Sequence, residues 1–309
     1  MVLVSSQVEE LLHQVHEFVT DFIIQIKVSK SEYSVFSSCL RASLAKSYEF
    51  LLFSHRDAES EGYFFAVSTL RGITEDLIVL KFISKLDYTK RERLLQGLQL
   101  IEVHERMTRQ QAFFEKYRPF QPVLGWTDTS PSLDQLESEI QTIWSESGWT
   151  NFRKKGIPPV RDMAAKLAPG ILDLLYDFIY RLTSSTVHFT PQTLLRLGWG
   201  LIEEGGNSFS GGYSVKHLTP YYKKFCQIYG GLLFCLYFEF FEHDMILTTT
   251  VKNIISSIRE AILLDNRWPE MITFEEMNKA VPQFYHEQPI LYATMHAAVI
   301  EKFREGFIV

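Results

Sequence analysis

Apolar residues recur along most of this chain at intervals of three and four, and alternating, strand-like runs are few. The periodicity predicts helices over roughly residues 5–28, 32–55, 58–85, 88–117, 132–146, 159–182, 217–242, 245–263 and 285–305, an all-α multi-helix bundle. Ser5 and Ser6 ahead of Val8, and Ser29 or Ser31 ahead of Glu32, supply N-cap signals that separate the first two helices. Short connections of this kind make sequence neighbours antiparallel. Two stretches interrupt the pattern. Tyr117–Pro131 holds Pro119, Pro122, Gly125 and Pro131, and Glu203–Tyr213 holds Gly205, Gly206, Gly211 and Gly212 and cannot be helical throughout. They are read as domain edges or as loops beside a site. No fixed-period repeat or low-complexity tract is present.

Composition changes this picture little. With 309 residues and 46% hydrophobic content, the chain can bury a sizeable core and is too apolar to be disordered. A net charge of -6 gives no whole-molecule attraction to phosphate polymers, so a nucleic-acid partner would need a local basic patch. Cys39, Cys226 and Cys235 are odd in number and scattered among apolar or small neighbours, as free thiols are in a reducing cytosol. Glu9 and Glu10 stand where a signal peptide would be cationic. The apolar stretch Tyr229–Phe241 is too short for a bilayer and contains Glu239. A soluble cytoplasmic protein without a membrane partner is expected.

Most familiar chemistries find no foothold. Glu10, His13 and His16 share a face of the first helix at a spacing used in di-metal sites, but no second Glu-x-x-His accompanies them, and an amphipathic face explains them better. His104-Glu105 lacks the second histidine of a zinc-protease helix. Paired Cys-x-x-Cys, a phosphate-binding Gly-rich loop with a following Lys, and Gly-x-Ser-x-Gly are all absent, so no metal or cofactor is expected. The basic groups Lys90, Arg91 and Arg93, and Arg106, Arg109, Lys116 and Arg118, read as solvated helix ends. Only Trp149-Thr150-Asn151-Phe152-Arg153-Lys154-Lys155 interleaves aromatic and cationic residues. That arrangement suits stacking on unpaired bases while cations hold phosphates, which makes Trp149, Arg153, Lys154 and Lys155 candidates for RNA contact.

One stretch brings an arginine and a histidine together. Tyr180-Arg181-Leu182-Thr183-Ser184-Ser185-Thr186-Val187-His188 follows a helical run, and at about 100° per residue seven steps return His188 to within about 20° of Arg181. The four hydroxyl residues between them weaken the helix, which leaves His188 at or near its end. Both side chains can then converge on one anion. The structural alternative pairs Arg181 with Asp177, Glu75 or Asp76, places His188 against a backbone carbonyl near Pro191, and joins Arg71 to Glu75 as an i to i+4 pair.

An Arg and a His so spaced at the end of a long helix resemble the signature of the HEPN superfamily. The wider phrasing is similar to an uncharacterised bacterial helical family with a Tyr-Arg-x-x-Ser-x-x-x-His segment and an upstream Arg-x-x-x-Glu helix, here Arg71-Gly72-Ile73-Thr74-Glu75. The similarity covers roughly residues 55–245. It implies a HEPN-like core over residues 56–245, an N-terminal helical hairpin over 1–55 and a C-terminal helical segment over 246–309. It further implies a metal-independent endoribonuclease, a toxin or anti-phage effector, that leaves 2′,3′-cyclic phosphate and 5′-hydroxyl ends. In that scheme His188 moves a proton at the 2′-hydroxyl or the leaving 5′-oxygen, and Arg181 holds the scissile phosphate. Tyr180, Arg71, Glu75 and Ser184 or Ser185 support them, Glu75 by orienting Arg181 and a serine as polar helper. A homodimer, RNA as substrate, and an antitoxin or defence-system protein are the implied partners. Leu182 stands where many active members carry a polar residue. The alternative is a catalytically silent helical module that dimerises or binds a nucleotide, RNA or protein.

Overall fold

The structure, a computed structural model, describes residues 2–24, 33–55, 62–122, 132–149, 157–167, 170–188, 190–202, 209–271 and 288–289. The periodic segments are helices: α1 (Val2–Ile23), α2 (Val35–His55), α3 (Tyr63–Ala66), α4 (Ser68–Ile83), α5 (Tyr88–Tyr117), α6 (Leu133–Glu146), α7 (Val160–Leu167), α8 (Ile171–Leu175), a π turn (Tyr176–Tyr180), α9 (Arg181–Val187), α10 (Pro191–Leu195), α11 (Thr219–Phe240), α12 (Glu242–Met245) and α13 (Thr249–Leu263). The fold is all-α and multi-helical. A short antiparallel hairpin of β1 (Gly198–Ile202) and β2 (Phe209–Tyr213) is added to it, and β3 (Gln288–Pro289) pairs with the other edge of β1.

Two expectations are corrected, and a third falls almost wholly outside the described residues. The end of the Gly-rich stretch is strand β2, because backbone pairing to β1 overrides the low strand propensity of Gly211 and Gly212. The helix expected over 285–305 lies outside the described residues except for Gln288 and Pro289, which are strand. Ser5 and Ser6 lie inside α1, and Ser29 and Ser31 lie outside the described residues. Ser34 is the residue that accepts the early N–H of α2, from Ser37 at 3.1 Å.

The contacts divide the chain into two compact units, residues 1–23, 44–75 and 174–309 in the first and 24–43 and 76–173 in the second. The first draws on all three segments expected from the sequence. Its centre is α11, buried at nearly every position from Tyr222 to Phe238. Tyr48 packs on Phe234, Phe18 on Phe238, and Phe178 on both Phe225 and Tyr229. Gly231 admits Ile262 of α13 against the α11 backbone, and a Cβ there would collide with the Ile262 Cδ1.

The chain beyond α13 is tied back to α11. The Tyr229 hydroxyl donates to the Pro269 carbonyl at 2.7 Å, and Lys224 Nζ lies 2.7 Å from Asp265 Oδ1. Burial opposes ionisation of Asp265, yet the Lys224 ammonium and the Arg267 N–H outweigh it and hold the carboxyl below its usual range. A carboxyl whose folded value is depressed stabilises the fold above its unfolded value, about pH 4, and that contribution fades as pH falls through the folded value. Asp265→Asn is therefore expected to cost about 1–2 kcal/mol in urea unfolding at pH 7, and progressively less as pH falls through the folded value and the wild-type carboxyl takes up its proton too.

In the second unit α5 lies against α6, with Gly97 leaving room for the Ile140 side chain. Phe82 packs between Trp144 and Trp149, at ring-centroid distances of 5.8 and 5.0 Å. Glu92, 8% exposed, projects from α5 to the start of α2. It accepts the Ser34 hydroxyl at 2.7 Å and the Val35 and Phe36 N–H groups at 2.6 and 3.3 Å.

Candidate active site

The helix that carries the arginine and histidine is anchored by Leu172, Leu175, Ile179 and Thr183, all buried. Midway along it the backbone widens, and the Arg181 N–H donates to the Tyr176 carbonyl five residues back. Within this π turn the Tyr176 and Tyr180 rings stack, 4.7 Å apart and 19° from parallel. The hydroxyl run that follows is absorbed by its own helix. Thr183 bonds the Ile179 carbonyl, Ser184 that of Tyr180, Ser185 that of Leu182 and Thr186 that of Thr183. The helix ends at Val187, and His188 is extended, with φ -102° and ψ 153°, its N–H bonded to the Ser184 carbonyl at 3.0 Å. The hydroxyl run itself stays helical, contrary to the loosening expected of it, and His188 stands just past the helix end, exposed to solvent.

Its partner there is Arg71, from α4. The Arg71 Nη1 lies 2.9 Å from His188 Nε2, Nη2 donates to the Tyr180 hydroxyl at 3.1 Å, and Cζ sits 4.9 Å from the centre of the Tyr180 ring. A guanidinium only donates, so in this hydrogen bond Nε2 is the acceptor. The Arg71 Nε–H is buried and makes no hydrogen bond. Arg71 is held in place because α4 is buried on both sides of it, at Leu70, Ile73 and Thr74, and the Tyr237 hydroxyl bonds the Ile73 carbonyl at 3.4 Å.

Arg181 takes a different direction. Its Nε meets Asp177 Oδ1 at 2.9 Å, one of the pairings its sequence spacing allows, and its Cζ lies 5.9 Å from the Tyr176 ring centre. Arg71, expected to pair with Glu75, turns instead to Tyr180 and His188, where a ring face, a hydroxyl and an imidazole nitrogen are available together. Glu75 is half-buried one turn further along α4. Ser184 and Ser185 spend their hydroxyl protons on helix carbonyls and are not aimed at His188. The structure therefore joins Arg71, Tyr180 and His188, with Tyr176 stacked behind and Arg181 alongside. Tyr176 was not singled out by sequence, though two tyrosines at i and i+4 next to an arginine are a readable signal.

The second candidate interface changes character. Trp149 is buried, edge-on to Phe82, with Lys166 Nζ 3.8 Å from its ring centre, so it is core and offers no face to a base. Arg153, Lys154 and Lys155 lie outside the described residues. Lys90 pairs with Glu146 at 3.2 Å and Arg93 with Glu139, while Arg91 stacks 4.0 Å from the Phe36 ring centre. Arg106 and Arg109 pair with Glu102 and Glu105 one turn earlier. His16 Nδ1 lies 2.8 Å from the Tyr48 hydroxyl. Among the described residues no group of three or more His, Cys, Asp or Glu is placed to hold a metal ion, and no helix is long and apolar enough to cross a membrane. Burial pushes the Cys235 thiol up to about 12.

An all-helical protein with an arginine–histidine–tyrosine cluster at an exposed helix end is the class that fold and site define. Within that class the chain belongs to a family of unknown function, DUF5677, whose model matches residues 33–207 and so contains Arg71, Tyr176, Tyr180, Arg181 and His188. No curated protein and no solved structure matches the chain.

Proposed function

We propose that this protein is a metal-independent endoribonuclease of the HEPN type, with His188 as its proton-transfer group and Arg71, seconded by Arg181, as its phosphate clamp. The observation that carries this reading is the 2.9 Å contact between Arg71 and His188 Nε2. It sets a donor-only cation beside a basic nitrogen at a solvent-exposed position, the two functions that phosphodiester transfer needs within one bond length of each other. When a phosphate takes over the Arg71 N–H groups, Nε2 is released to accept the 2′-hydroxyl proton. The 2′-oxygen then attacks phosphorus, the bond to the 5′-oxygen breaks, and the products are a 2′,3′-cyclic phosphate and a 5′-hydroxyl once that oxygen is protonated. In-line displacement sets the attacking and leaving oxygens on opposite sides of phosphorus. A two-fold homodimer meets this need by presenting a second His188 to the leaving group.

Cytoplasmic RNA is the substrate, and a toxin or anti-phage effector restrained by a partner protein is the cellular role that fits such an activity. A second reading, a silent RNA-, nucleotide- or protein-binding module, is favoured by the Arg181–Asp177 pair and by Leu182, which leaves the position after Arg181 without a polar group. Incubating the purified protein with unstructured RNA in excess EDTA separates the two. Cleavage with cyclic-phosphate ends, lost in His188→Ala, is the expected result; intact RNA at stoichiometric protein, or equal cutting by His188→Ala, would overturn the nuclease reading.

A further inference from the structure

Two apolar stripes run along α5. The first, Leu94, Gly97 and Ile101, is buried, and Gly97 on it makes room for Ile140 of α6. The second is Leu100, Val103, Met107, Phe114 and Tyr117, with Gln110 as its polar member, and its alternating steps of three and four are the spacing of a coiled-coil seam. At about 100° per residue, the nine steps from Leu94 to Val103 put this second stripe on the side of the helix away from the first. No position from Glu102 to Tyr117 is buried, and Val103 is 39% and Tyr117 58% exposed. Phe113, also exposed, touches Phe114 and Tyr117 of its own helix at ring-centroid distances of 5.5 and 4.9 Å. A helix this exposed gains little from packing, and a run of large apolar side chains along one side of it marks an interaction surface.

We propose that this stripe is an interface between two copies of this chain, their α5 helices packed antiparallel about a two-fold axis between Thr108 and Arg109. Two features of the stripe favour a second copy over another partner. The first is size. In this register Phe114 lies opposite Val103 of the second copy, Tyr117 opposite Leu100 and Met107 opposite Gln110, so the bulky end of one stripe meets the slimmer end of the other. Parallel pairing would instead crowd Phe114 against Phe114 and Tyr117 against Tyr117. The second is charge. No charged residue stands on the stripe, and the nearby Arg106 and Arg109 are answered by Glu102 and Glu105 one turn earlier in the same helix. Two identical faces therefore meet without like-charge repulsion, which an isologous interface requires. The proposal stands on α5 and holds whether or not His188 cuts RNA.

The test is the molar mass of the full chain by sedimentation equilibrium over a series of protein concentrations, without RNA. Wild type is expected at twice the chain mass. Val103→Glu and Phe114→Glu each weaken the dimer by about 30-fold or more. Glutamate is a good helix former, so both variants keep the wild-type circular dichroism. Combining Val103→Glu with Phe114→Lys in one chain restores the dimer, because antiparallel pairing sets each new carboxylate against an ammonium of the second copy. Parallel pairing would set like charges together, and a general intolerance of charge on this face would give no recovery. A monomeric wild type, or a Phe114→Glu chain that dimerises as tightly as wild type, would overturn the interface. Loss in both single variants without recovery in the double one would overturn the antiparallel register. RNA cleavage by the wild type, or its absence, alters none of these outcomes, so this proposal and the nuclease reading fail separately.

Discussion

Arg71→Ala is expected to slow RNA cleavage by about 10²–10³-fold, and His188→Ala by about 10²–10⁴-fold, in single-turnover assays with labelled RNA. Arg181→Ala is expected to cost less than either. This ranking reverses the one that the Arg-x6-His resemblance implies, and geometry is the reason. Arg71 touches the imidazole nitrogen at 2.9 Å, while the Arg181 guanidinium is turned to Asp177. Arg71→Lys should not restore the rate, because an ammonium has no planar fork to hold Tyr180 and a phosphate at once. On the proposed mechanism Arg71 and His188 work as one unit, so the double alanine variant should be little slower than the worse single variant. Tyr180→Phe, which removes only the hydroxyl that Arg71 bonds, should fall between wild type and Arg71→Ala. Thermal melts of each variant separate lost chemistry from lost folding. An Arg181→Ala variant slower than Arg71→Ala would return the phosphate-holding role to Arg181.

Glu92→Ala should destabilise the fold by about 3 kcal/mol. The carboxylate accepts two backbone N–H groups and a hydroxyl at the first turn of α2, where donors otherwise lack partners and the helix dipole favours negative charge. Removing it leaves buried donors unpaired, which costs more than the bonds themselves are worth. Glu92→Gln should lose part of this, because an amide can turn only one acceptor to the three donors. Urea titration measures both, with a lower midpoint and an unchanged slope as the expected pattern. A Glu92→Ala loss within about 0.5 kcal/mol of wild type, as for ordinary surface positions, would show that water replaces the carboxylate at no cost.

Where helix limits are set by neighbouring residues, they were legible. α5 spans the expected Tyr88–Tyr117, opened by Asp87, whose side chain accepts the Lys90 N–H. α6 starts one residue inside its expected limit, at a reciprocal cap of Ser132 and Gln135. Where limits are set from afar, they were not. The start of α2 depends on Glu92, 57 positions from Val35, and in the run Lys90-Arg91-Glu92-Arg93 that residue reads as one more charge on a solvated face. The site divides in the same way. The position of His188 at a helix end was legible, although the four hydroxyls before it stay helical, but its pairing with Arg71, 117 positions away, has no local trace. Trp149 shows the opposite hazard. An aromatic residue followed by cations has the same pattern whether its ring faces a base or, as here, Phe82.

The π turn has one more consequence, for deletions. A π turn accommodates one residue beyond the α-helical repeat, so removing a single residue from Tyr176–Tyr180 would let the helix close into continuous α geometry. Because the widened turn already absorbs that residue, the α segments on either side would keep nearly the same phase about the axis. The buried faces of Leu172 and Leu175 and of Ile179 and Thr183 would stay aligned, while Tyr176 and Tyr180 would move from i, i+4 to i, i+3 spacing and their stack would part. Helical content would barely register the change. A chain one residue shorter at this point would look intact by circular dichroism and yet have no column of rings beside its histidine.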